Sequence, residues 1–444
     1  MSEPAELQRQ PRVLPRAEHP VSRASVSPNA IKVLYRLHRA GFLAYLVGGA
    51  VRDLLLGRKP KDFDIGTNAR PQQVRQLFRN ARVIGRRFRL VMVRFADEVV
   101  EVATFRRSPE PPEIEEGETA DVLAPTPEAE EFGTPEEDAW RRDFTVNGLF
   151  YNIADFSVID HVGGLEDLRA GVIRTIGEPH LRFAEDPVRM MRAVEYGARL
   201  GFNLEDELSE AIAAMHPEIR RAAPARIAYE LVESLKGGQA LAIFRGLEES
   251  SLLEHTVTEA HEAAGRGDAL LWRLLASADE RVRSGDKLAE ETLLGLLFLP
   301  SLLEALTGDG ERAPAPGELE QTVREVLDPA ALRLAFSHYR SHLLRASFLL
   351  LSRILSPPRS GKFVLRTVKH EAFPVAWQLA HLLGTVAQPF RSLLGPWEQA
   401  VARVRGGLSP EVAPPRAEGE KRGRRRRRRR GGSRRRAAAP GGQG

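Results

Sequence analysis

The sequence contains Gly48-Gly49-Ala50-Val51-Arg52-Asp53, followed by Asp62-Phe63-Asp64, which begins nine residues after Asp53. A Gly-Gly pair between a strand and a short helix lets backbone N–H groups approach phosphate oxygens with no Cβ in the way, next to the positive end of the helix. We expect Arg52, on that helix, to neutralise the same phosphates. Gly48, Gly49 and Arg52 are therefore predicted to bind a nucleotide.

The second part of this stretch carries two carboxylates. Residues two apart in a strand point to the same face, so Asp62 and Asp64 are predicted to project together while Phe63 enters the core. Two adjacent carboxylates can bridge a pair of Mg²⁺ ions, one activating an attacking hydroxyl and the other stabilising a leaving pyrophosphate. Phosphoryl transfer needs mainly positioning and charge neutralisation, so no nucleophilic side chain is required. Asp62 and Asp64 are predicted to be catalytic and to bind the metal.

A third carboxylate is expected near this pair, and the sequence offers two candidates. Glu101 alternates with Val100 and Val102 in a predicted strand, a pattern that equally fits a solvent-facing residue. Asp143 lies in Arg141-Arg142-Asp143-Phe144-Thr145-Val146-Asn147. From the residues alone, either could complete the metal site.

Working outward from these motifs, short β-rich runs alternate with short helical runs between residues 42 and 177, which predicts an α/β head. Ser27 is a suitable N-cap for a first helix, with Pro28 at the first helical position. The predicted strands are residues 43–47, 82–84, 90–95 and 99–105, and the predicted helices that follow are 51–56 and 71–78.

Beyond Glu185 the strand signals end and amphipathic helical patterns take over, which predicts an all-α C-terminal half. The predicted helices include residues 185–200, 225–235, 269–275, 290–299 and 340–354. The expected organisation is a flexible lead-in (1–26), a head (27–180), a helical neck (181–245), an all-α body that binds RNA (246–408) and a disordered basic tail (409–444).

Charge is unevenly distributed along the 444 residues. Residues 421–436 hold twelve Lys and Arg and no acid, and without them the formal net charge falls from +5 to −7. Residues 109–138 hold twelve Asp and Glu, no Lys or Arg and six prolines, which predicts a disordered acidic insertion in the head. The absence of cysteine, of a signal peptide and of a membrane span predicts a cytoplasmic protein with no membrane association.

Four ordered motifs together resemble the bacterial branch of the polymerase-beta-like nucleotidyltransferases, which holds the class II tRNA CCA-adding enzymes and the bacterial poly(A) polymerases. The resemblance covers residues 13–240. The motifs are Gly48-Gly49-x-x-Arg52-Asp53, Asp62-x-Asp64, Arg141-Arg142-Asp143-Phe144-Thr145-x-Asn147 and Glu185-Asp186-Pro187-x-Arg189-x-x-Arg192.

The resemblance implies a head with a mixed five-stranded sheet, followed by helical neck, body and tail domains. It implies that Asp62 and Asp64 bind the metals, that Asp143 is a further active-site carboxylate, and that Arg142 lies near the nucleotide sugar and phosphates. The fourth motif implies a helix on which Asp186, Arg189 and Arg192 share a face and select the incoming base. One departure is Glu195, which stands where these families commonly have arginine.

The choice of activity rests on other residues. The segment from Val83 to Leu90, with Arg86 and Arg87, resembles bacterial poly(A) polymerases, although Met92 replaces a usual histidine. The basic tail would hold RNA 3′ ends without sequence preference, through Arg424, Arg425, Arg426, Arg427, Arg428, Arg429 and Arg430. The sequence therefore favours a Mg²⁺-dependent poly(A) polymerase that uses ATP and acts on RNA 3′ ends in RNA processing or decay. The sequence does not identify protein partners, among which RNA-decay or RNA-chaperone proteins would be compatible with this activity. The alternatives are a CCA-adding enzyme and a non-catalytic RNA-binding protein.

Overall fold

The computed structural model describes residues 10–85, 90–107, 132–265, 270–307, 316–358 and 360–405. Three features of the sequence lie outside these ranges: the Arg86-Arg87 pair, the tail with Arg424 to Arg430, and most of the acidic insertion. None of the helices within the described ranges is both long and apolar enough to cross a bilayer.

A mixed eight-stranded sheet forms the head, which confirms the predicted α/β class. Its strands are β1 Arg12–Leu14, β2 Ala44–Val47, β3 Ile65–Thr67, β4 Ala81–Ile84, β5 Leu90–Arg94, β6 Val99–Thr104, β7 Leu149–Asn152 and β8 Val158–Asp160. They lie in the order β1-β8-β7-β2-β3-β6-β5-β4, and β3 and β6 are parallel whereas the other neighbours are antiparallel. The resemblance implied five strands; the sheet is larger because short strands extend it at its ends.

The central strand β2 is covered on both faces, so all four of its residues are buried. Ala44 and Leu46 belong to the main hydrophobic core, whereas Tyr45 and Val47 pack with Phe105 and Phe150 in a smaller cluster on the opposite face. Successive side chains of a strand point to opposite faces of the sheet, so β2 contributes side chains to the hydrophobic clusters on both faces.

Five helices accompany the sheet: α1 Pro28–Arg39, α2 Gly49–Leu55, α3 Pro71–Leu77, α4 Pro135–Trp140 and α5 Gly164–Ala170. The predicted N-cap of the first helix is present, since the Ser27 hydroxyl accepts from the backbone N–H groups of Asn29 and Ala30. An N-cap of this kind satisfies donors that have no partner inside the helix.

The described part of the predicted flexible lead-in is ordered, so that expectation was wrong for residues 10–26. Strand β1 pairs with β8, Leu14 is 6% exposed and Val21 is 1% exposed. His19 is also buried, and its Nε2 lies 2.9 Å from the carbonyl oxygen of Phe156. A three-residue strand is too short to show a hydrophobic period in the sequence, but pairing with β8 and burial of its flanks stabilise it.

The end of the predicted acidic insertion is also ordered, because residues 132–138 are part of the head. Phe132 forms an antiparallel bridge with Arg106, and the Gly133 N–H donates to the Phe105 carbonyl at 2.9 Å. A Cβ at Gly133 would lie 2.6 Å from the Arg106 carbonyl carbon, so only glycine permits this approach. Helix α4 then begins with a capping box, and the two ends of the insertion are held side by side.

After the head, the described residues are helical apart from a two-stranded ribbon of β9 Val172–Ile173 and β10 Asn203–Leu204, which agrees with the predicted all-α half. The neck and body helices are α6 Pro179–Glu185, α7 Val188–Leu200, α8 Asp206–Met215, α9 Pro224–Lys236, α10 Ala240–Glu249, α11 Leu252–Thr256, α12 Thr258–Gly265, α13 Leu270–Arg283, α14 Glu290–Thr307, α15 Pro316–Arg333, α16 His338–Ile354, α17 Gly361–Val368, α18 Phe373–Val386 and α19 Gln388–Arg405.

The single helix predicted for residues 185–200 is two helices. Asp186 is extended, with φ −148° and ψ 92°, and separates α6 from α7. Pro187 explains the break, because a proline disfavours helical geometry in the residue before it and has no N–H to donate. Asp186 therefore does not lie on the same helix as Arg189 and Arg192.

A chain of ion pairs joins the head to the neck and body. Lys61, next to Asp62, contacts Glu233 of α9 at 2.6 Å, and Glu233 contacts Lys236 at 2.9 Å. Lys236 in turn contacts Glu290 of α14 at 2.7 Å, and Glu290 contacts Arg340 of α16 at 2.6 Å. The loop that carries the first predicted catalytic carboxylate is therefore fixed against helices far along the chain.

Candidate active site

Asp62 and Asp64 lie in the extended segment immediately before β3, rather than inside a strand. The Asp64 carbonyl accepts from the Val47 N–H at 3.0 Å, so this segment continues the pairing of β2 with β3. Phe63, between them, is half-buried and packs against the core, as predicted.

Glu101 is the carboxylate that the sheet brings beside this pair. In the parallel pairing of β3 with β6, Ile65 lies opposite Val102, which places Asp64 next to Glu101 one residue earlier. Neighbouring residues in register share a face of a sheet. The sheet therefore aligns two carboxylates from segments that are distant in sequence.

The electrostatics of these groups agree with this placement. The pKa of Asp64 is raised because the surrounding protein desolvates it; Arg142 opposes that rise and Asp62 adds to it. The pKa of Glu101 is raised by desolvation and by the negative charges of Asp64 and Asp62. Three carboxylates that repel one another on two neighbouring inner strands favour the binding of a cation.

Mg²⁺ suits this donor set, which consists of carboxylate oxygens. Among the residues that the structure describes, no three acidic or histidine side chains converge as a preformed metal cage. Mg²⁺ is usually bound through one or two carboxylates together with substrate phosphates and water, rather than by a complete cage of protein ligands. Asp62, Asp64 and Glu101 therefore fit an ion that arrives with a nucleotide.

The Gly48-Gly49 turn packs directly against Arg142. Gly48 has φ +72°, and a Cβ there would lie 3.0 Å from the Arg142 Nη1 atom. Arg142 is held by two hydrogen bonds to Asp138, of 2.9 and 3.2 Å, and its guanidinium stacks on the Phe150 ring at 5.3 Å. Arg142 therefore packs against the glycine turn and is close enough to Asp64 for its positive charge to oppose the rise in the pKa of that carboxyl.

Arg52 does not present its guanidinium to a ligand, contrary to the prediction. The residue is 1% exposed, and its guanidinium donates to Asp53 at 2.8 Å and to the Asn147 side chain at 2.6 Å. It also stacks on the Tyr196 ring at 5.2 Å. Arg52 was expected to neutralise phosphates, but burial makes it a residue that positions the glycine turn against α7.

Asp143 uses both carboxylate oxygens inside the protein. One accepts from the Phe144 N–H at 2.8 Å and from Asn147 at 3.1 Å, and the other accepts two bonds from Arg192, at 2.6 and 2.9 Å. Although burial opposes the shift, Arg192 and these hydrogen bonds lower the pKa of Asp143. Asp143 and Arg192 thus form an internal pair that joins the head to α7.

The remaining predicted nucleotide-binding residues are close in space but are paired with other groups. Asp186 contacts Arg226 of α9 at 2.9 Å. Arg189 donates to Glu185 at 2.9 Å and to the Arg182 carbonyl at 3.1 Å. Asp186 and Arg189 lie on either side of the break between α6 and α7.

Sequence reasoning missed Arg182 and Tyr196. Arg182 donates to the carbonyls of Arg141 and Arg142, at 2.9 and 2.6 Å, and so fixes the backbone of the catalytic motif. The Tyr196 ring contacts the guanidiniums of Arg52, Arg192 and Arg199 at 5.2, 5.2 and 4.9 Å. Their partners are remote in sequence, so nothing in the local pattern distinguished either residue.

Glu195, which stands where these families commonly have arginine, is surrounded by groups that accommodate a carboxylate. It is 7% exposed and accepts from Arg199 at 3.3 Å. Burial raises the pKa of Glu195, while Arg199 and Arg192 lower it. Glu195 therefore faces the interior of the neck, where it cannot contact a phosphate in solvent.

Comparison with known proteins agrees with this arrangement. Residues 44–174 match a family model described as the poly(A) polymerase head domain, and residues 201–263 match one described as a probable RNA- and SrmB-binding site of polymerase A. The chain is 40% identical over 386 residues to poly(A) polymerase I of Salmonella typhi, covering 84% of this chain and 82% of that protein.

Two CCA-adding enzymes are also similar. The enzyme of Bacillus subtilis is 38% identical over 225 residues, 51% of this chain and 54% of that protein. The crystal structure of the Bacillus stearothermophilus CCA-adding enzyme in complex with CTP aligns with a TM-score of 0.60 at 26% identity, covering 86% of this chain and 83% of that one.

The family models and the relatives, together with the α/β head and the helical region that follows it, identify an RNA nucleotidyltransferase. These matches confirm the resemblance to the nucleotidyltransferases that the sequence motifs indicated. Within this class, the 40% sequence identity to a poly(A) polymerase over 84% of the chain shows the family. The chain belongs to the bacterial poly(A) polymerases.

Proposed function

We propose that this enzyme adds AMP from ATP to the 3′ ends of RNA without a template, by two-metal nucleotidyl transfer. The observation that carries the chemistry is the juxtaposition of Glu101 with Asp64 across β3 and β6, next to Asp62. The length of the sequence alignments supports poly(A) addition. The alignment with a poly(A) polymerase covers 84% of this chain, whereas the alignment with a CCA-adding enzyme covers 51%.

In this proposal Asp62, Asp64 and Glu101 hold Mg²⁺. Magnesium bound there would supply charge neutralisation at the triphosphate and at the attacking 3′ hydroxyl. Arg142, aligned by Asp138 and by the glycine turn, would hold a phosphate oxygen. Asp143 would act by positioning Arg192 and α7, because both of its oxygens already have partners.

Base selection would fall to Asp186 and Arg189, which offer an acceptor and donors at the edge of the cleft. Both have partners in the structure, Arg226 and Glu185, so we infer that the incoming base competes for these contacts. A role in RNA processing or decay, a cytoplasmic location and protein partners in RNA decay remain predictions from the sequence.

Incubation of the enzyme with Mg²⁺ and an unstructured RNA tests the reaction directly. We expect ATP alone to give long tails, because the proposed site selects one base and needs no tRNA fold. Product length on a denaturing gel, with CTP alone and with ATP plus CTP in parallel, is the measurement. Arrest after two C and one A would indicate a CCA-adding enzyme, and RNA binding without incorporation would indicate a non-catalytic protein.

Deletion of residues 421–444 should weaken RNA binding and reduce its dependence on salt, while the rate at saturating RNA is unchanged. The twelve Lys and Arg removed are expected to release counterions when they contact RNA phosphates. The slope of log Kd against log salt concentration is the measurement. A variant with these residues changed to serine controls for chain length, and an unchanged slope would contradict the prediction.

A further inference from the structure

One face of α9 runs from the proposed base-selecting residues towards the proposed metal-binding carboxylates. Arg226, Tyr229 and Glu233 are spaced by three and four residues and therefore share this face. At one end Arg226 contacts Asp186 at 2.9 Å, and at the other Glu233 contacts Lys61, the neighbour of Asp62, at 2.6 Å. These two ion pairs fix both ends of the face relative to the active site.

Tyr229 lies between those two ion pairs and remains open to solvent. It is 60% exposed, whereas Tyr196 is partly buried and its ring is in contact with three arginines. Among the described residues, no aromatic ring and no cation stacks on the Tyr229 ring. An exposed aromatic ring, held on a rigid helix beside a site that must receive nucleotides, is a surface on which a base can stack.

The position of Tyr229 favours the RNA over the incoming nucleotide. Burial raises the pKa of the Tyr229 hydroxyl, and the negative charges of Glu233, Glu230 and Glu101 add to the rise while Lys61 opposes it. Lys61 is the neighbour of Asp62 and Glu101 is a proposed metal ligand, so Tyr229 lies on the side of the carboxylates, where a 3′ hydroxyl must arrive to be activated. Asp186 and Arg189, on the other side, are the residues proposed to select the incoming base.

We propose that Tyr229 is the stacking platform for the 3′-terminal base of the RNA. Every base has a π-face, so a ring accepts each successive 3′ end without regard to sequence. A template-independent enzyme needs such tolerance, because its product becomes its next substrate. This inference rests on the proposed function, since it assigns the RNA 3′ end to one side of the same site.

Tyr229→Ala is expected to raise the KM for an oligo(A) primer roughly tenfold, because a base–aromatic stack is lost, with little change in the KM for ATP. Tyr229→Trp and Tyr229→Phe retain a ring and should restore the primer KM to near the original value. Tyr339→Ala removes a tyrosine of similar exposure, 63%, from α16 and is the matched control. Thermal unfolding should show that all four variants are folded.

Three outcomes would overturn the inference: an unchanged primer KM in Tyr229→Ala, a rise in the KM for ATP instead, or no recovery with tryptophan. Binding of a fluorescent oligo(A) without ATP gives a second measurement that does not depend on turnover. Tyr229→Ala should weaken this binding roughly tenfold, and the same affinity in both proteins would refute the stack. If the unaltered enzyme binds RNA but does not extend it, the proposed function fails while the role of Tyr229 is still decided by binding.

Discussion

Replacing Asp64 by asparagine is expected to lower nucleotide incorporation by at least ~10³-fold and to stabilise the metal-free protein. The loss of activity follows from removing a metal ligand, since a bound metal contributes several kcal/mol of transition-state stabilisation and ~4 kcal/mol corresponds to ~10³ in rate. Single-turnover incorporation of ATP into oligo(A) is the measurement.

The effect of Asp64→Asn on stability has the opposite sign, because the pKa of Asp64 is raised in the folded protein. A carboxyl with a raised folded pKa favours the native state only when protonated, so its charge destabilises the fold above its unfolded pKa. Removing the charge should raise the melting temperature at neutral pH in EDTA only modestly, since Asp64 is exposed and solvent screens its charge.

The effect of added Mg²⁺ on the melting temperature tests whether these carboxylates bind a metal or only repel one another. Mg²⁺ should raise the melting temperature of the unaltered protein and should have little effect on Asp64→Asn, because a ligand stabilises only the state that binds it. Glu166→Gln, at an exposed position of α5, is the control and should alter neither activity nor the response to Mg²⁺. An Asp64→Asn protein with full activity, or with the original response to Mg²⁺, would contradict the assignment.

Asp143→Asn is expected to have the largest effect on stability, lowering the free energy of unfolding by about 3 kcal/mol at neutral pH. Among the described residues, the substitution leaves the Arg192 guanidinium, 28% exposed, with Glu230 at 3.6 Å as its one remaining ionic partner. Breaking a buried pair on one side is costly because the remaining charge is desolvated without compensation. Denaturant unfolding at pH 7 is the measurement.

The pH dependence provides an independent check on this pair. The pKa of Asp143 is lowered in the folded protein, so its contribution to stability is present above its unfolded pKa and is lost as the pH falls through its folded pKa. Asp143→Asn should lack this part of the acid destabilisation. Asp286→Asn breaks the more exposed pair with Arg281 and should cost less than ~1 kcal/mol; a similar cost for both variants would contradict the role of burial.

The sequence identified the residues that act through local spacing. Asp62 and Asp64 were recognisable because a two-residue interval has a fixed geometric meaning in extended chain, and the glycine turn was recognisable next to them. The choice between Glu101 and Asp143 could not be made in the same way. It depends on the register of β3 with β6 and on Arg192, 49 residues from Asp143, neither of which leaves a local pattern.

Three predictions from the sequence were wrong: the single helix over residues 185–200, the exposed role of Arg52 and the flexible segment that contains β1. The apolar period of residues 185–200 predicted a continuous helix, although Pro187 within it disfavours one. Arg52 follows the glycine turn as a phosphate-binding arginine would, but Asn147 and Tyr196, both remote in sequence, bury it. Strand β1 is three residues long and becomes visible only through its partner β8.

The bridge between Arg106 and Phe132 closes the base of the segment that separates β6 from α4. Because the bridge fixes the two ends, lengthening the chain between them should cost little, since each doubling of a loop's length adds only about 0.6 kcal/mol to the cost of closing it. This junction is therefore a suitable position for an insertion. A folded reporter module inserted between residues 108 and 131 would be anchored close to β6, the strand that carries Glu101, and its signal would report on binding at the carboxylates.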